Sequence, residues 1–103
     1  MTRGTTPTYT FELEDESVDL AQAQSVFVTF RQGRRFLRRT GEDITVSGHT
    51  ASVSLAQEDS LLFSREQEPL LAQLNWVYAD GSRAASEIVR LDVYDTLEPE
   101  VLA

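Results

Sequence analysis

Alternation with a period of two, repeated along most of the chain, is the feature that most constrains the fold. In the last third, Leu70, Ala72, Leu74, Trp76 and Tyr78 share one face of an extended segment, with Leu71, Gln73, Asn75 and Val77 on the other. Asp80-Gly81 follows, flanked by apolar alternation on both sides. That dipeptide in that setting is the strongest short-range hairpin signal a sequence offers. The return segment, Arg83 to Tyr94, places Ala85, Glu87, Val89, Leu91 and Val93 on one face.

The same period recurs upstream. Tyr9, Phe11 and Leu13 alternate with polar residues from Thr8 to Leu13, and Pro7 just before them suits a strand start. Val26, Val28 and Phe30 form one face of a strand from Gln24 to Arg31. Gln32-Gly33 reads as a tight turn, returning as Arg34 to Arg39 with Phe36 inward. Ile44 to Val46 and Thr50 to Leu55 are two further short strands around Ser47-Gly48-His49. Val18-Asp19-Leu20 reads as a short edge strand or a loop. Residues 56–63 break the pattern, opening polar and acidic and closing apolar. They predict a short helical turn near 57–63 with acids at its positive N-terminal end, crossing between sheets and capping the core with Leu62 or Phe63.

About seven short strands with turns at roughly 8–12-residue spacing predict an all-β antiparallel sandwich. The two strands around Asp80-Gly81 are expected to back one sheet and the Gln32-Gly33 hairpin to anchor the other. At 103 residues the chain makes one domain. Residues 1–95 form the sandwich, and 96–103 are a tail that frays or docks on a neighbour.

Composition removes several functions. Without cysteine there is no disulfide, thiolate metal site or cysteine nucleophile. No segment approaches the ~20 apolar residues of a membrane helix, and Met1 to Pro7 lacks the apolar run of a signal peptide. No membrane partner is expected. A net charge of −8 opposes nucleic-acid binding as the main task.

Catalytic chemistry finds no foothold. The single histidine, His49, lies in a predicted turn with no nucleophile and acid bracketing it. Glu12, Glu14, Asp15, Glu16 and Asp19 lack the glycine and terminal glutamate of a calcium loop, and read as a solvated, edge-protecting face. Ser52 and Ser54 have no G-x-S-x-G around them. The chain is therefore expected to be no enzyme and to need no cofactor or metal. Trp76 and Tyr78 would give a sugar-stacking platform if exposed, although their alternation assigns them first to the core. A carbohydrate-type ligand-binding sandwich is the alternative function.

The basic residues carry the one functional signal. All nine are arginine, and Arg31, Arg34, Arg35, Arg38 and Arg39 fall in one short stretch. On a hairpin, Arg35 and Arg39 share one face and Arg34 and Arg38 the other. Guanidinium groups match carboxylates as a bidentate fork. The chain is acidic at both ends, so one copy can offer this hairpin to the acidic strand or tail of another, a head-to-tail contact. The bland reading is a solvated hairpin whose local ion pairs are worth little. These five arginines are the candidate partner-binding residues under the first reading.

The order of motifs also resembles a known family. Arg3-Gly4-Thr5-Thr6-Pro7-Thr8 leads into Tyr9-Thr10-Phe11. Val26-Phe27-Val28-Thr29-Phe30 is followed by Gln32-Gly33. Leu55-Ala56-Gln57-Glu58-Asp59-Ser60-Leu61 and Ala79-Asp80-Gly81-Ser82 complete the series. Together they look like the N-terminal immunoglobulin-like domain of phage baseplate upper proteins and related small prophage proteins. The resemblance implies an immunoglobulin-like sandwich and a structural role in a phage tail or baseplate. Its partners would be other phage structural proteins or a second copy of itself. It would be made in the host cytoplasm and carried in the virion once assembled.

Overall fold

The alternating segments become strands, and their apolar rows face each other across two sheets. The computed structural model describes residues 1–65 and 68–102. Its strands are β1 (Thr8–Glu12), β2 (Ser25–Gln32), β3 (Arg35–Thr40), β4 (Ile44–Ser47), β5 (Thr50–Ser54), β6 (Leu70–Val77), β7 (Arg83–Ala85) and β8 (Val89–Leu91). One helical turn, α1 (Gln57–Leu61), joins β5 to β6. The smaller sheet has the order β1-β5-β4. The larger runs β3-β2-β6, with β7 and β8 pairing successively along the far side of β6. All pairings are antiparallel. The chain is an all-β sandwich whose strand order is of the immunoglobulin type, with β1-β5-β4 standing as B-E-D and β3-β2-β6-β7/β8 as C′-C-F-G.

The core lies between the inward rows. Val28, Phe30 and Leu74 have no exposure, and Ala51, Val53 and Leu55 meet them from the opposite sheet. Phe30 sits at the centre, its ring 5.9 Å from Tyr9 and 6.4 Å from Phe63. Both geometries are tilted, as aromatic quadrupoles favour.

Several sequence expectations are corrected by this arrangement. The Gln32-Gly33 and Asp80-Gly81 hairpins lie in the same sheet, because β2 pairs with β6 from Ser25–Val77 to Arg31–Leu71. The two most apolar rows of the chain thereby lie side by side. The first turn is centred one residue later, on Gly33-Arg34. Gln32 pairs with Arg35 as the last residue of β2, and Gly33 supplies the positive φ that the first central position of a type II′ turn requires. Phe36 faces outward and is 48% exposed. Leu37 takes the inward place, since it stands opposite the buried Phe30 and facing partners share a side. Of the two readings of Val18-Asp19-Leu20, edge strand or loop, the structure takes the loop. Asp19 accepts the Ala21 N–H and caps a short 3-10 turn over Leu20–Gln22, burying Leu20.

The return segment is two strands rather than one. Trp76 pairs with Ala84, but Ala72 pairs with Val89. Between Asn75–Ala85 and Ala72–Val89, two residues of β6 oppose three residues of the partner, which is a β-bulge. The bulge shifts parity: Ala84, not Ala85, shares the face of Val89 and Leu91. Ser86 holds the irregularity. Its N–H donates to the Leu74 carbonyl, and its hydroxyl accepts the Leu74 N–H at 3.0 Å.

Between the sheets, α1 is five residues long, and Phe63 rather than the half-exposed Leu62 caps the core. Ala56 precedes it and has no side-chain acceptor, so Asp59 reaches back to accept the Ala56 N–H. Arg3 donates to the Leu61 and Phe63 carbonyls at the other end of the turn. The tail docks on its own domain: the Gln57 amide pairs with both backbone groups of Leu102.

Candidate protein-binding face

The pleat divides the clustered arginines into two groups. Arg35 and Arg39 lie on the inward side of β3 and act within the chain. Arg39 pairs with Asp59, a carboxylate of 10% exposure. Arg35 donates to the Gln32 and Ser64 side chains. Gln32, buried, also donates to the Ser64 and Glu68 carbonyls and accepts the Ser64 N–H. These groups clip the β2–β3 hairpin to the segment leaving α1.

Arg31 and Arg38 point outward. Arg38 lies over the Phe36 ring at 5.2 Å, a cation–π contact that holds both side chains on the surface. Arg34, in the turn, is exposed. Two arginines that the sequence did not group with these join them. Arg90 stands in the row Phe36–Arg31–Leu71–Arg90 across the sheet. Arg83 faces outward from β7 and donates from Nε and Nη2 to the side-chain oxygen Oδ1 of Asn75. Arg38 and Arg83 flank a hollow of about 240 Å³ lined also by Phe27, Thr29, Asn75 and Val77. No strand residue of this sheet is a carboxylate. The outward face is thus basic and partly aromatic in a chain of net charge −8. Strict alternation sets Arg90 on the polar face of the last hairpin but Arg83 on the apolar one, and the bulge at Ser86 brings both to the outward face. Only the β2–β6 pairing carries them to Arg31.

A second feature lies on the opposite edge of the sandwich. Between β1 and the β7–β8 edge the sheets splay into a cleft of about 660 Å³. Its floor includes Tyr9, Trp76, Ala84 and Val89, and its rim Glu12, Glu14, Asp15 and Glu87. The Tyr9 hydroxyl oxygen is buried with no hydrogen-bond partner among the described residues. Burial raises the Tyr9 pKa. Asp15 accepts the Ser17 hydroxyl and N–H, which lower its pKa.

The remaining polar candidates have structural partners. Ser52 and Ser54 form hydroxyl pairs with Thr10 and Thr8 across β1 and β5. His49 Nε2 lies 3.5 Å from a Glu12 carboxylate oxygen. Trp76 is 4% exposed, and its indole N–H donates to the Tyr78 hydroxyl, so it presents no ring face to a sugar. Among the described residues, no three His, Asp or Glu side chains are placed to hold a metal ion. Among the described residues, no helix is long and apolar enough to cross a membrane. Comparison with protein-family models, curated proteins and solved structures finds no match to this chain.

Proposed function

We propose that this chain is a non-enzymatic assembly protein that works through protein–protein contact, with the outward face of its five-stranded sheet as the binding surface. The observation that carries the reading is the segregation of charge. Arg31, Arg38, Arg83 and Arg90 share a sheet face whose strands hold no carboxylate, while the molecule as a whole is strongly acidic. Arginine on a flat, partly aromatic surface suits an acidic protein partner, because the planar guanidinium binds carboxylates through two bonds and stacks on rings. The order of sequence motifs supports the narrower reading, a tail or baseplate component of a phage-like particle.

Sedimentation of the purified protein across a salt series tests the proposal, together with a pull-down against tail and baseplate proteins. Association that weakens with salt, and is lost in an Arg31→Glu/Arg38→Glu variant, is the expected result. A protein that stays monomeric at low salt and captures no such partner counts against the reading.

A further inference from the structure

We infer that the partner of the basic hairpin is a second copy of this chain, and that the β2–β3 hairpin of one copy seats in the acid-rimmed cleft between β1 and β7–β8 of the next. This rests on the reading of the basic face as a protein-binding surface and names what it binds.

Three observations meet. The first is charge complementarity. The hairpin offers Arg34 and Arg38 on exposed positions, and the cleft rim offers Glu12, Glu14, Asp15 and Glu87. The second is an apolar anchor matched to an apolar floor. Phe36 is 48% exposed on the hairpin, while Tyr9, Trp76, Ala84 and Val89 line a cleft whose volume of about 660 Å³ accepts a phenyl ring with a flanking guanidinium. The third is topology. β3 is one edge of the five-stranded sheet, and β7 and β8 are the other. Two different patches on opposite edges therefore meet, which makes the contact heterologous. Repeated, it closes into a ring or runs on as a filament.

The experiment uses the full chain with two pairs of exposed substitutions. Arg34→Glu/Arg38→Glu reverses the hairpin, and Glu14→Lys/Glu87→Lys reverses the rim. Circular dichroism and the emission of the buried Trp76 establish that each variant is folded; Phe36→Ser is a second, uncharged hairpin variant. Wild type is expected to associate at low salt. Each charge reversal should weaken association by at least about tenfold, since like charges then face each other. Mixing the two reversed variants should restore a 1:1 complex, because one retains a native hairpin and the other a native cleft. If the rim variant associates like wild type while the hairpin variants do not, the cleft is not the acceptor and this inference falls, with the basic face still a protein-binding surface. Hairpin variants that associate like wild type sink both readings. A wild-type monomer at low salt overturns self-docking and leaves the face to a different acidic protein.

Discussion

The ion pair between Arg39 and Asp59 is the best place to test how the clustered arginines divide their work. The Asp59 carboxylate is 10% exposed and accepts from Arg39 and from the Ala56 N–H, the latter at 2.9 Å. Asp59→Ala removes both bonds, orphaning the first N–H of the α1 turn and leaving a guanidinium facing an apolar gap. Removing one partner of a fully buried pair costs about 3–5 kcal/mol. The Arg39 side chain is 26% exposed and can turn toward water, so the expected cost is about 2–3 kcal/mol, in the range of a hydrogen bond to a charged group plus a lost cap. For a domain of this size that lowers Tm by roughly 10–20 °C. Arg39→Met keeps the Ala56 bond and should cost less, about 1–2 kcal/mol. The assay is urea unfolding followed by Trp76 emission, with both single variants and the double variant. A coupling energy of at least about 1 kcal/mol is expected. Additivity within about 0.5 kcal/mol would refute the assignment of Arg39 to the interior and return it to the surface cluster.

Three further outcomes follow from polar groups at the sheet edges. Tyr9→Phe removes a buried, unpaired hydroxyl and should stabilise the fold by about 1 kcal/mol in urea titrations. Because the folded-state pKa of Tyr9 is raised above 10.0, its contribution holds below that pH and is lost as pH rises through the raised value. The variant should therefore lose less stability than wild type between about pH 8 and about pH 11. Ser86→Ala deprives the Leu74 N–H of its acceptor at the bulge and should cost about 1–2 kcal/mol, with faster amide exchange at Leu74 as the direct check. Asp80 is held below its ordinary value of 3.8 by the Ser82 hydroxyl and N–H. Its contribution is present above that pH and is lost as pH falls through the lowered folded value, so Asp80→Asn should flatten the acid limb of the stability curve.

The sandwich was legible because each strand announces itself locally. A period of two needs no partner to be recognised, and Gly33, Gly48 and Gly81 mark turns where φ is positive. What local pattern leaves open is which strands pair. Placing the two hairpins in separate sheets was consistent with every alternation in the chain. The structure instead sets the rows of Val26, Val28 and Phe30 and of Ala72, Leu74 and Trp76 side by side in one sheet, where all but Val26 are buried. Phe36 was misread for a related reason. An aromatic between arginines suggests the inward side of a strand, yet register alone decides, and pairing with Arg31 turns it outward. The bulge at Ser86 was invisible to a strict alternation, which carried the wrong face from Leu91 back to Ala85.

The same parity argument explains why five neighbouring arginines do two jobs. Along β3, positions 35, 37 and 39 face the interior and 36 and 38 face out. The inward pair is used at the border with α1, where it satisfies Asp59, Gln32 and Ser64. A lysine at these sites would supply charge without the planar fork that reaches two acceptors at once. The outward residues contribute nothing comparable to the fold. Among the described residues, Arg31 donates to the Gly33 carbonyl in its own turn, and Arg38 rests on Phe36. Exposed cations of that kind add little stability. Together with Arg83 and Arg90 they gather on one side of a strongly acidic molecule. A surface that separates charge in this way orients an acidic partner before contact. That separation, created by one register across β2 and β6, is the physical basis for reading the sheet face as an interface.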